Sequence, residues 1–184
     1  MKRKVIKQQP IYEGRVIKVS VDTVEQPDGS QVIREVVRHP GGAVAVPILP
    51  DGRIVLVRQF RYPIGRALLE LPAGKLDPAE PPEVSVLREL EEESGFRAGA
   101  IRKICEFFPT PGFCDEVLHI FIAYDLQPGR QHLEVDEEAM SVEIYSKTEL
   151  SDMIARGEIV DGKTLVGLLW WLACPDAGLP TDRS

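Results

Sequence analysis

Three glutamates crowd into one short segment of this sequence. Glu89, Glu92 and Glu93 stand at positions i, i+3 and i+4, and on a helix, at about 100° per residue, their carboxylates fall within one sector. Because like charges at this spacing repel, we expect Glu92 and Glu93 to face solvent and to bind a cation. Mg2+ suits such a site because it prefers oxygen ligands. A merely solvated acidic helix face is the alternative.

The three glutamates belong to a longer pattern of spaced residues. The segment at residues 74–96 resembles the Nudix box, G-x5-E-x7-R-E-U-x-E-E-x-G-U, in which U is an apolar residue. Every defined position of the box is filled, by Gly74, Glu80, Arg88, Glu89, Leu90, Glu92, Glu93, Gly95 and Phe96. With residue frequencies of about 5–10%, a chance match in a chain of this length is on the order of one in a million.

The resemblance implies a metal-binding role for part of this segment. Glu89 and Glu93, one helical turn apart, would bind Mg2+, and Ala73 would add its backbone carbonyl. Glu92 would hold another cation or orient the attacking water. The ions expected are two or three Mg2+ per site, with Mn2+ as an alternative metal.

The other residues of the box have structural roles. Gly74 permits a tight loop that brings backbone close to the metal. Glu80 can pair with Arg88 and thereby hold the loop on the helix. Gly95 fits the position just past the end of a helix.

Segments on either side of the box resemble one group within the Nudix superfamily, the ADP-ribose pyrophosphatases. They read RQFRYP at residues 58–63, ELPAG at residues 70–74 and FPTPGFCDE at residues 108–116. The resemblance implies that Arg61 contacts the diphosphate and that Arg34 stacks on the adenine, which a planar guanidinium does well. Gly112 and Glu116 would lie beside the terminal ribose.

An acidic segment at residues 134–138 precedes a predicted strand. In the resembled enzymes it carries a Glu-x-Glu pair, which maps onto Asp136 and Glu138. The first acid removes a proton from water and the second binds metal. Because Asp stands here where Glu is usual, the base is left open between Asp136 and Glu137, while Glu138 is the predicted ligand. A solvated charge run is the alternative.

Together these residues predict an enzyme that hydrolyses the diphosphate bond of a nucleoside diphosphate sugar with Mg2+. The substrate implied by the resemblance is ADP-ribose, which would give AMP and ribose 5-phosphate. Another sugar nucleotide, such as GDP-mannose, is the alternative substrate. An inactive Nudix module that binds RNA or protein is the alternative of another class, although such modules usually lose glutamates of the box.

Mixed strands and helices must position these side chains. The pattern predicts an α/β (α+β) fold, a Nudix-type α/β/α sandwich with a mixed sheet. Helices are expected at residues 81–94, 149–156 and 163–173, and strands at residues 43–49, 54–57, 101–107, 117–124 and 140–145. An antiparallel hairpin at residues 15–38 precedes them.

The hairpin suggests a division of the chain and a partner. Residues 1–40 would form a strand arm, and residues 41–184 the hydrolase domain. Because an isolated two-stranded ribbon is marginally stable, we expect the arm to pair with a second subunit in a homodimer.

Composition limits the remaining possibilities. The net charge of -7 argues against broad nucleic-acid binding, which needs clustered Lys and Arg. The odd number of cysteines, without a CxxC motif, suggests reduced thiols in a cytoplasmic protein. The basic N-terminus lacks a following apolar run, so neither a signal peptide nor a membrane helix is expected.

Overall fold

The computed structural model describes residues 3–133 and 140–174. Its strands are β1 (Lys4–Glu13), β2 (Lys18–Glu25), β3 (Gln31–Arg38), β4 (Gly42–Pro47), β5 (Ile54–Arg61), β6 (Arg66–Glu70), β7 (Ala73–Lys75), β8 (Phe96–Phe107), β9 (Leu118–Pro128) and β10 (Ser141–Tyr145). Its helices are α1 (Pro82–Ser94), α2 (Lys147–Ala155) and α3 (Gly162–Ala173), with one short 3-10 turn at Tyr62–Ile64.

The N-terminal arm is a three-stranded antiparallel sheet in the order β1-β2-β3. The prediction of a hairpin was therefore wrong by one strand. β1 carries the polar run Lys7-Gln8-Gln9 and is exposed along its whole length, so no alternation of apolar and polar residues marks it as a strand. Backbone pairing with β2, from Lys4 opposite Glu25 to Glu13 opposite Lys18, forms it instead.

The body is a sandwich of two sheets with helices on either side. A four-stranded sheet has the order β7-β4-β9-β8, and a three-stranded sheet has the order β10-β5-β6. β4 runs parallel to β9, whereas the other strand pairs are antiparallel, so the predicted mixed sheet is confirmed.

Strand β4 lies at the centre of this body and is buried at every residue. Ala43 and Ala45 pack in one core cluster with Val86 and Leu90 of α1. Val44 and Val46 point to the opposite side and pack in a second cluster with residues of α2 and α3. Successive side chains of a strand face opposite sides, so β4 separates α1 from α2 and α3.

The helices begin close to the predicted positions, with one difference. α2 starts at Lys147 rather than Glu149 because Ser146 caps it: the Glu149 N–H donates to the Ser146 hydroxyl, and the Ser146 N–H donates to the Glu149 carboxylate. Asp161 caps α3 as predicted, by accepting from the Thr164 N–H at 3.0 Å. Within the described ranges, no helix is both long and apolar enough to cross a membrane.

Two short strands that the sequence pattern did not predict, β6 and β7, matter most for the site. β6 pairs with β5, and β7 pairs with β4, where Ala73 lies opposite Val44 and Gly74 opposite Ala43. Three residues are too few for a periodic pattern to identify β7. Its pairing fixes the backbone of residues 73–75 against α1.

Candidate active site

Helix α1 holds the glutamates in a fixed direction. Pro81 has an extended backbone before the first turn, and Gly95 ends the helix with a φ of 71°, a left-handed value that favours glycine. Val86 and Leu90 are buried in the core. Because this face is anchored, the acidic face of the helix is directed toward a cleft.

Arg88 joins the box residues into one network. Its guanidinium donates to both carboxylate oxygens of Glu80, at 3.1 and 3.0 Å. It also donates to Glu89 at 2.8 Å and to Glu92 at 3.0 Å. The hydrogen bond from Arg88 is the largest cause that holds the pKa of Glu80 below its usual value, and the same contact raises the pKa of Arg88. The loop at residues 77–80 is thereby tied to α1.

Gly74 lies directly against the carboxylate of Glu89. A Cβ atom at this position would stand 1.8 Å from Glu89 Cδ and 2.0 and 2.3 Å from its oxygens. Real Cβ atoms do not approach so closely, so any side chain at this position would displace the carboxylate. The glycine therefore permits close approach between the β7 backbone and the metal-binding candidate.

Glu93 also reaches the β7 backbone. Its Oε2 accepts a hydrogen bond from the Ala73 N–H at 2.9 Å, and the residue is only 2% exposed. The expectation that Glu92 and Glu93 both face solvent is therefore wrong for Glu93, because the packing of α1 on β7 covers it. Glu92 retains 37% exposure of its side chain.

These side chains open onto one cleft of ≈ 580 Å3. Predicted site residues that line it are Arg61, Ala73, Gly74, Arg88, Glu89, Glu92, Glu93 and Glu116. Lining residues that the sequence did not indicate are Arg15, His39, Gln59, Lys75, Asp77 and Lys163.

Other predicted residues lie elsewhere. Neither Arg34 nor Gly112 lines the cleft, as far as the described residues define it. Arg34 is exposed on β3 and donates to the carbonyl of Ile33 at 2.8 Å. Gly112 lies in the loop after β8, which β3 holds through the hydrogen bond from the Val37 N–H to the Phe113 carbonyl at 2.8 Å.

The predicted base and the last metal ligand fall outside the described part of the chain. Asp136, Glu137 and Glu138 all belong to residues 134–139. Within residues 3–133 and 140–174, no three His, Cys, Asp or Glu side chains are grouped so as to hold a metal ion. Arg88 instead lies between Glu89 and Glu92.

The chemistry of the donors nevertheless suits a divalent cation. Glu89 and Glu93 both bring carboxylate oxygens to the backbone of Ala73 and Gly74. Mg2+ takes one or two protein carboxylates and completes its shell with water and substrate phosphate oxygens. This pair of carboxylates therefore fits Mg2+ bound together with a phosphate-containing substrate.

Beside the cleft lies a cluster of charges around Glu70, a residue to which the sequence pattern gave no role. Glu70 is 1% exposed, and both of its oxygens accept from Arg61, at 2.8 and 2.6 Å. Lys163, at the start of α3, also donates to Glu70. The sequence did contain one signal of a buried charge: Glu70 directly follows the apolar pair Leu68-Leu69 at the end of a strand.

The burial of Glu70 predicts how stability depends on pH. Burial acts to raise the pKa of Glu70, but the hydrogen bond from Arg61 and the charges of Lys163 and Arg61 outweigh it, so the pKa lies below the ordinary 4.5. A depressed pKa stabilises the folded state above the unfolded pKa, and this contribution is lost as pH falls below 4.5 toward the folded value.

We expect Glu70→Gln to be less stable than the wild type at pH 7, with a difference that narrows as the pH falls below 4.5. Urea unfolding of both proteins at several pH values measures this. Asp152→Asn, which removes an exposed carboxylate on α2 that does not line the cleft, is the control. A difference between Glu70→Gln and wild type that stays constant across this range would contradict the assignment.

Comparison with known proteins identifies the family. The profile described as "NUDIX domain" matches residues 38–166. The chain belongs to the NUDIX family. A second profile, "Nucleoside diphosphate sugar hydrolase N-terminal domain", matches residues 4–37 of this Nudix hydrolase, the segment that contains the arm. Nudix hydrolases generally use a divalent metal such as Mg2+.

Several curated relatives span most of the Nudix chain. The ADP-ribose pyrophosphatase of Bacillus subtilis (strain 168) is 39% identical over 89% of each protein. The methanol dehydrogenase activator of Bacillus methanolicus is 38% identical over 90% of each. A GDP-mannose pyrophosphatase of Yersinia enterocolitica is 35% identical over 74% of this chain and 75% of its own.

The fold has a counterpart among solved structures. A crystal structure described as an ADP compounds hydrolase superposes with a TM-score of 0.81, at 21% identity, over 96% of this chain and 97% of the other. At this level of identity the likeness supports the Nudix fold alone.

Proposed function

We propose that this Nudix hydrolase cleaves the diphosphate bond of a nucleoside diphosphate sugar with Mg2+, and that its substrate is ADP-ribose. The products would be AMP and ribose 5-phosphate. The observation that carries the proposal is the pairing of Glu89 and Glu93 with the backbone of Ala73 and Gly74, in a cleft that also contains Arg61. A diphosphate can bind both to a metal ion held by the two glutamates and to the guanidinium of Arg61, so this combination suits it.

The residues of the chain divide the work of hydrolysis. Glu89 and Glu93 would hold the divalent cation. A cation bound there would lower the pKa of the attacking water and would stabilise the negative charge on the leaving phosphate. Arg61 would bind and orient the diphosphate. Asp136 or Glu137 would accept the proton of the attacking water, and Glu138 would add a ligand, as the resemblance implies. Glu92 is the next candidate for the base, since it opens onto the cleft.

The substrate preference is supported by the relatives rather than by the described contacts. The relatives named for ADP-ribose and for GDP-mannose are 39% and 35% identical to this chain, and the ADP-ribose relative matches more of it, 89% against 74%. GDP-mannose therefore remains the second candidate substrate. An inactive binding module is disfavoured because the glutamates of the box are all present, Glu93 is held by the Ala73 N–H of β7, and Glu89 is held by Arg88.

A substrate panel tests the choice. We expect the purified protein with Mg2+ to release AMP from ADP-ribose with a kcat/KM about 10-fold above that for GMP release from GDP-mannose. An unpaired polar group costs about 1–3 kcal/mol, and about 1.4 kcal/mol corresponds to a factor of ten. Chromatography of the released nucleotides measures both rates. Faster release of GMP would reassign the substrate while keeping the Nudix chemistry.

We further propose that the protein is a homodimer in which the arm, residues 1–40, pairs with a second copy. Strand β1 forms an open edge of the three-stranded sheet and exposes Val5, Ile6, Ile11 and Tyr12. An unpaired edge with exposed apolar side chains favours association. Arg34 lies on this sheet, outside the lining of the cleft within its own chain, so a partner's arm could bring it to the substrate.

We expect light scattering of the full-length protein at micromolar concentration to give twice the mass of one chain. Deletion of residues 1–38 should produce monomers or aggregates and should raise KM for ADP-ribose, because the exposed edge and Arg34 are removed together. Circular dichroism of the truncated protein checks that the body still folds. A full-length monomer with intact activity would contradict the proposal.

A further inference from the structure

We propose that Lys163 is a further substrate-binding residue, whose ammonium contacts a non-bridging oxygen of the diphosphate beside Arg61. The proposal rests on the proposed function in one respect, namely that the ligand of the cleft carries a diphosphate. It does not depend on which base or sugar is attached.

Lys163 lies where the cleft meets a second cavity. The cleft contains the metal-binding candidates Glu89 and Glu93, whereas the adjoining cavity of ≈ 490 Å3 is lined largely by apolar side chains such as Ile64 and Phe107. Arg61 and Lys163 line both spaces. A diphosphate in the cleft would therefore have the two cations, Arg61 and Lys163, and the two carboxylates on the same lining.

Two carboxylates hold the ammonium of Lys163 in place. It contacts Glu70, which is 1% exposed, and Asp161 at 3.0 Å, and the lysine side chain retains only 12% exposure. A lysine ammonium has three N–H donors. The described contacts to Glu70 and Asp161 use two of them, which leaves a third donor for a ligand in the cleft.

Neutralisation of Glu70 does not require this lysine. Arg61 already donates to both oxygens of the Glu70 carboxylate in a bidentate pair. A second cation on the same buried carboxylate adds a desolvation cost, and such buried charges are weak evidence for a stabilising role. Because Lys163 lines a cleft that would bind an anionic substrate, its ammonium can pair with that substrate.

The position of Lys163 is also fixed by the packing of α3 against Leu71, the residue that follows β6. Thr164 is fully buried, and its hydroxyl accepts from the Leu71 N–H at 2.8 Å and donates to Asp161 at 2.6 Å. Further along α3, a Cβ on Gly167 would stand 2.6 Å from Leu71 Cδ1, so the helix approaches the Leu71 side chain closely. The ammonium is therefore preorganised, which reduces the entropy lost when an anion binds.

Binding of methylenediphosphonate, a diphosphate analogue without base or sugar, tests the proposal. We expect calorimetry in excess Mg2+ to show a Kd about 10- to 100-fold weaker for Lys163→Met than for wild type, which is the fold-change of one lost hydrogen bond to a charged group. Lys163→Gln keeps an amide donor for Glu70 and should fold even where Lys163→Met does not; its affinity should fall similarly.

Lys103→Met is the matched control, because it removes an ion-paired lysine on β8 that does not line the cleft. It should bind the analogue as the wild type does. Equal affinities of Lys163→Gln and Lys103→Met would overturn the proposal, provided that both melt at the wild-type temperature. If the wild type binds the analogue and Lys163→Gln does not, while no nucleotide sugar is hydrolysed, the proposed function fails and the role of Lys163 stands.

Discussion

Glu93→Gln is expected to lower the turnover of ADP-ribose by more than about 100-fold, because replacement of even an outer partner of a metal ligand typically costs about 10- to 100-fold. The structure predicts that the Glu93→Gln protein remains folded. Glutamine keeps one oxygen that can accept from the Ala73 N–H, now donated to Glu93 Oε2 at 2.9 Å. Steady-state kinetics with saturating Mg2+ measures the loss, and circular dichroism checks the fold.

Glu91→Gln is the control for Glu93→Gln. Glu91 lies on the same helix, but its carboxylate faces Arg97, at 3.5 Å, and it does not line the cleft. The substitution changes the net charge by the same amount and should leave turnover unchanged. If Glu93→Gln and Glu91→Gln both keep wild-type turnover, Glu93 does not bind the metal.

Gly74→Ala is expected to reduce turnover by a similar factor through a different cause. The added Cβ would overlap the carboxylate of Glu89, whose Cδ would be 1.8 Å away, so the carboxylate must leave its position. A misplacement of about 1 Å in a catalytic site can cost about 100-fold. Higher concentrations of Mg2+ should restore part of the activity, because the defect lies in metal affinity.

Gly52→Ala separates this effect from the general cost of replacing a glycine. Gly52 has a φ of 83°, but nothing lies within 4 Å of its added Cβ. Alanine there should cost about 1–2 kcal/mol of stability through the left-handed backbone and leave turnover unchanged. If Gly74→Ala behaved in the same way as Gly52→Ala, the contact between Gly74 and Glu89 would have no role in catalysis.

The sequence predicted the helix of the site well because its signals are local. Proline in the first turn and glycine past the end define α1 to within one residue, and the ladder of glutamates follows from helical spacing. The mixed sandwich was predicted from longer apolar runs, such as residues 43–49, which a buried strand requires.

The environment of each carboxylate could not be predicted in this way. Spacing places Glu92 and Glu93 as neighbours on one helix face, yet only Glu93 is covered, because β7 lies beside it and not beside Glu92. The same limit applies to Glu70 and Lys163, which are separated by 93 positions in the chain and meet only after α3 packs against Leu71. Contacts of this kind depend on tertiary packing, which no local pattern records.

The arm shows a third limit of sequence patterns. β1 has no alternation of apolar and polar residues, since a strand with both faces exposed does not need one. Its formation depends on hydrogen bonds to β2, whose own alternation buries Ser20, Asp22 and Val24 on one face. A strand of this kind becomes recognisable only through its partner.

The most direct test of the account is the release of AMP from ADP-ribose by protein freed of metal with EDTA and then supplied with Mg2+. We predict equal amounts of AMP and ribose 5-phosphate in the presence of Mg2+, and no release above background in its absence. Release of AMP at the same rate in EDTA, or no hydrolysis of any nucleotide sugar with either Mg2+ or Mn2+, would contradict the account.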